Sequence, residues 1–91
     1  MKNPIGVAEQ AIAFLESLEG DEEEQGLQAA RNLRSALSKV AANREAALSA
    51  LQYGLSGKGV LDWQWSETTY ATLDALCSEY YEQWANNRGA T

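Results

Sequence analysis

From Leu27 to Tyr53 the chain carries neither proline nor glycine, and within that stretch Ala30, Leu33, Leu37, Val40, Arg44, Ala47 and Leu51 recur at alternating spacings of three and four. A 3.5-residue apolar period is the seam of a helix packed along its whole length. The spacing therefore predicts one long central helix over 22–53, interrupted in pattern only by Arg44 and closed by Gly54. Asp21 and Glu24 stand at the spacing of a capping box, and Glu22, Glu23 and Glu24 place negative charge on the positive end of the helix dipole. A kink in this rod is expected, if anywhere, at Ala42-Asn43.

Two shorter helices flank it. Asn3-Pro4 opens the first with an N-cap residue and a proline where a missing N–H does no harm. Val7, Ala8, Ala11, Ile12, Phe14, Leu15 and Leu18 then share one face of a helix over 4–19, which Gly20 ends by taking the left-handed conformation. Ser66 is the N-cap of a third helix over 66–86, whose stripe is Tyr70, Leu73, Cys77, Tyr80 and Trp84. Residues 54–65 hold three glycines and alternate Leu61, Trp63 and Trp65 with Asp62 and Gln64, which reads as a loop laying aromatics on the bundle.

The expected fold is all-α: one domain over residues 1–91, three helices in an antiparallel bundle. Geometry argues for dimerisation. At 1.5 Å per residue the central helix is about 48 Å long and its neighbours about 24 and 31 Å, so each neighbour covers only half of it. Two helices enclose a core poorly, and pairing the long helices of a homodimer would supply four-helix cross-sections. Charge favours the same hairpins: residues 27–60 carry Arg31, Arg34, Lys39, Arg44 and Lys58 against Glu45, between acidic flanks.

The formal net charge is −6 with no histidine, so the commonest acid–base and metal-binding side chain is missing. Cys77 lies in an apolar stripe, where a thiol is desolvated and unreactive. No catalytic residue, metal site or cofactor is expected. The loop Gly54-Leu55-Ser56-Gly57-Lys58-Gly59 lacks the order and the strand–helix context of a phosphate loop. Net acidity disfavours direct nucleic-acid binding. The longest apolar run, Ala11 to Leu15, is five residues, far below the roughly 20 a membrane helix needs. Glu9 interrupts the only candidate leader, and a single cysteine fits a reducing cytoplasm. The turn Trp63-Gln64-Trp65-Ser66 lacks the glycine of secreted WXG-type helical hairpins, and that family is set aside.

The aromatics are the most suggestive feature, because every Trp and Tyr except Tyr53 falls within 63–84. Tyr70, Tyr80 and Trp84 are explained by the stripe; Trp63, Trp65 and Tyr81 are harder to bury together. The expectation is a small acidic, non-catalytic interaction protein (an adaptor, chaperone or inhibitor) anchored on another protein by Trp63, Trp65, Tyr81 and Trp84 with an acidic rim. Arg44 either lays its stem along the seam or meets a partner's carboxylate. The alternative is a nucleic-acid mimic of the phage counter-defence type, in which Glu16, Glu19, Asp21, Glu22, Glu23 and Glu24 imitate phosphates and block a basic groove.

Overall fold

The computed structural model describes residues 3–89, with side chains as far as Asn86. Four helices carry the fold: α1 (Pro4–Glu16), α2 (Glu23–Leu37), α3 (Arg44–Gly54) and α4 (Glu67–Gly89), with single 3-10 turns at Gly20–Glu22 and Val60–Asp62. No strand occurs among the described residues, so the all-α expectation stands, while the three-helix count does not.

The correction falls on the central rod. After α2, bonds from Lys39 N to Ala36 O and from Val40 N to Leu37 O tighten the chain to 3-10 geometry, the usual way a helix satisfies its last carbonyls. Asn43 is extended (φ −155°, ψ 93°), and its side chain accepts from Ala46 N at 3.1 Å, capping α3. Neither proline nor glycine is needed, because an asparagine side chain competes with the backbone and favours a helix start over a helix interior. Arg44, the anomaly of the heptad seam, is the first residue of a new helix and is exposed.

Folding α3 back onto α2 gathers Leu33, Leu48 and Leu51 into one core with Val7, Leu15 and Tyr80. The longest extent of the molecule is 43 Å, shorter than the about 48 Å rod the seam implied. A radius of gyration of 12.6 Å matches the roughly 12 Å of a self-contained domain this size. Each half of the rod is now covered by the other, which removes the geometric reason for a second copy.

The flanking helices keep their faces but shift their ends. In α1, Asn3 Oδ1 accepts from Gly6 N at 2.8 Å, and Val7, Ala8, Ala11, Ile12 and Leu15 are buried. The helix closes at Ser17, whose hydroxyl donates to Phe14 O at 2.6 Å, three residues before the expected end. Gly20 is left-handed, as its composition suggested (φ 68°), but it opens the following 3-10 turn. The Asp21 capping box does not form: Glu22 occupies the N-cap of α2 and makes no cap hydrogen bond there. A Cβ at Gly26 would run into the Leu15 carbonyl oxygen, so this glycine sets how closely α2 approaches α1. The last helix, α4, runs to Gly89, three residues past its expected end.

Because Asn43 starts α3, Asn43→Ala is expected to lower unfolding stability by about 1 kcal/mol and Asn43→Gly by only a few tenths, measured by urea denaturation followed by circular dichroism. A stabilising alanine would mean the helix runs through.

Candidate functional site

The loop after α3 is held by its own backbone. Leu55 N donates to Leu51 O, Gly59 N and Leu61 N both donate to Ser56 O, and Lys58 N donates to the Ser56 hydroxyl at 3.3 Å. These N–H groups face the loop's own oxygens, as a helix connection requires and a phosphate cradle does not. The turn at Val60–Asp62 then presents Trp63 and Trp65, stacked at 5.9 Å between centroids with planes 5° apart. Both are half-buried and pack on the core, and the Trp65 indole N–H donates to Val60 O at 2.8 Å. Trp65 is therefore committed to the loop's shape.

Trp63 has a second environment. It lines a groove of about 230 Å³ between α2 and α3, with Ala29, Leu33, Ala36, Ala50 and Tyr53 among the other walls. Tyr53 is 61% exposed and was not among the expected anchors. The only signal for it is its position, two residues beyond Leu51 and off the seam, and its distance from the aromatic run hid its significance.

Tyr81 and Trp84 form a separate pair, centroids 5.7 Å apart and planes tilted by 49°. Trp84 packs on the core, whereas Tyr81 is 54% exposed and lines a second cavity of about 290 Å³ with Leu55, Leu61 and Cys77. The expected anchors thus belong to two aromatic pairs, one stacked and one tilted, on different walls, with Arg44 at the start of α3 outside both cavity linings. Tyr70, expected in the α4 stripe, is exposed, and Thr69 is buried in its place. The α4 stripe begins one residue earlier, and the buried Thr69 hydroxyl has a partner at the bundle's surface.

That partner is Glu22. Its carboxylate accepts from Ser66 N at 2.7 Å, from the Thr69 hydroxyl at 2.7 Å and from the Ser66 hydroxyl at 3.3 Å. Ser66 also caps α4 as expected, its oxygen accepting from Thr69 N at 3.3 Å. Gln25 Nε2 adds a bond to Gln64 O at 2.6 Å. The backbone N–H of Ser66, and next the Thr69 hydroxyl, hold the Glu22 carboxyl below its ordinary value of 4.5. Elsewhere in the acidic cluster, Glu16 pairs with Arg34 at 2.6 Å, an exposed contact contributing about 0–1 kcal/mol. Glu19, Asp21, Glu23 and Glu24 remain exposed. The cluster is therefore part internal fastening and part solvated charge.

The core holds the remaining candidates. Cys77 is buried, and desolvation, with Asp74 secondary, pushes its thiol up to about 12. Tyr80 is fully buried and donates its hydroxyl to Leu48 O at 2.7 Å; burial raises its pKa, with the charge of Arg44 opposing. No group of three metal-ligating side chains comes together among the described residues. No protein-family model, curated protein or solved structure matches the chain.

Two outcomes follow. Because the folded pKa of Glu22 is depressed, its bonds stabilise the fold fully above about 4.5, and this contribution is lost as pH falls through the lower folded value. The stability gap between wild type and Glu22→Gln is thus expected to be constant at neutral pH and to close on acidification, in urea titrations across pH. Cys77 is expected to react with a disulfide reagent only through opening of the core, on the order of 10³-fold slower than in denaturant.

Proposed function

We propose that this chain is a small, non-catalytic protein-interaction module that binds another protein through exposed aromatic side chains on its apolar grooves. The observation that carries this reading is the α2–α3 groove, open on the surface, with Trp63 in its wall and Tyr53 standing 61% exposed beside it. Tyrosine and tryptophan supply large contact area with few rotatable bonds, which suits them to anchor a partner. Tyr81 at the second cavity is a further anchor, and the acidic surroundings of α1 and α4 orient the approach. A thiol displaced to about 12 supports a role without thiol chemistry and is consistent with a reducing compartment such as the cytoplasm. No helix among the described residues is long and apolar enough to cross a membrane. Because the chain encloses its own core, the partner in this reading is a different protein and not a second copy.

The nucleic-acid-mimic reading draws less from the structure. Two of its six acids, Glu16 and Glu22, already accept hydrogen bonds from this chain.

The test is capture of partners from a native lysate at low and high salt, with circular dichroism confirming each variant's fold. Binding is expected to survive high salt and to weaken about tenfold or more in Tyr53→Ala or Tyr81→Ala. Capture that fades steeply with salt and is lost on neutralising Glu19, Asp21, Glu23 and Glu24 would favour the mimic instead. Capture of nothing would remove the reading.

A further inference from the structure

Resting on that reading, we infer that the α2–α3 groove seats one amphipathic helix of a partner protein, apolar where it enters and acidic at both ends. The walls support a helix. Ala29, Leu33 and Val60, buried in the core, form the groove's floor. Ala36 on α2 and Ala50 on α3 are small, so a third backbone can come close, and Tyr53 and Trp63 supply accessible aromatic contact. From Ala29 to Ala36 the groove runs about 10 Å, or two helical turns, the span read by anchors at i, i+3, i+4 and i+7.

Charge selects the sign of the occupant. Among the described side chains, every cation falls between Arg31 and Lys58, and from Ala29 to Trp63, the span of the groove's lining, five cations face two carboxylates, Glu45 and Asp62. Lys39 stands three residues beyond Ala36, and Lys58 is next to Gly59, itself a wall of the groove; both lysines are exposed. Glu45 is turned about 140° around α3 from Ala50. Arg34 is held by Glu16. Arg31 bonds Gln28 on its own helix, about 200° around α2 from Ala29, and Arg44 opens α3 outside the lining. This leaves Lys39 and Lys58 as the cations placed for the two ends of an occupant. The net charge of the whole molecule, −6, would on its own attract a basic peptide. The groove therefore predicts a preference opposite to that of the molecule's overall charge.

Two fluorescein-labelled helical peptides of about four turns test this by fluorescence anisotropy. Both carry leucine at i, i+3, i+4 and i+7; one has glutamate and the other lysine elsewhere. The glutamate peptide is expected to bind at least about tenfold tighter at low salt, with the difference narrowing as salt rises. Ala50→Glu, at an exposed position, and the double variant Lys39→Glu/Lys58→Glu should each weaken it by about tenfold. Preference for the lysine peptide, equal binding, no binding, or indifference to these substitutions would overturn the inference. Sedimentation of the free protein runs alongside: a dimer dissociated by Ala50→Glu would make the occupant a second copy and also overturn it. If a native partner is captured by wild type and Ala50→Glu alike, the groove assignment fails while the interaction reading stands.

Discussion

Within a single chain, Leu33, Leu48 and Leu51 can leave water together only if the segment between α2 and α3 turns back on itself. All three are buried in one cluster with side chains of α1 and α4. Burying a leucine contributes about 1.5–3 kcal/mol, so the three outweigh a few helical hydrogen bonds worth about 1 kcal/mol each. Those few are partly replaced by the tight turn after Leu37 and the Asn43 cap. In an unbroken rod each flanking helix would cover one half from one side only. The fold chooses burial over helical continuity.

A second constraint makes the surface what it is. The Glu22 carboxylate and the Gln25 amide reach residues 39 to 47 positions away in sequence and fasten the segment before α4 to the start of α2. With that segment fixed, the loop from Leu55 to Ser66 has both ends anchored, and the bonds from Trp63 N and the Trp65 indole to Val60 O hold Trp63 against the α2–α3 hairpin. The groove is thus a product of the two contacts: the turn-back creates two adjacent helices, and the clasp supplies the third wall.

How far this was legible in the residues depends on the range of the interaction responsible. The buried face of α1, its Asn3-Pro4 start, the Ser66 cap of α4 and the burial of Cys77 follow from local spacing. The seam from Ala30 to Leu51 keeps its period across the break: Ala30, Leu33, Ala47 and Leu51 are buried in the hairpin and would line the seam of a paired rod, so periodicity does not distinguish the two. Arg44 and Asn43 were the clues, a charge on the seam directly after a residue that prefers to start helices. Glu22 was invisible as a fastener, since its partners lie more than forty residues away and its neighbours made it look like one acid in a solvated run. Tyr53 was passed over because its meaning comes from Trp63, which joins it in one groove only after the chain folds back.

The turn-back is tested most directly by nuclear Overhauser effects between the Leu33 methyl protons and the α-protons of Gly54, whose backbone the Leu33 side chain touches. Mixed labelled and unlabelled chains separate contacts within one molecule from contacts between two. The account requires a strong cross-peak within one chain. In a continuous helix these residues stand about 32 Å apart, and absence of the cross-peak, or its appearance only between chains, would contradict it.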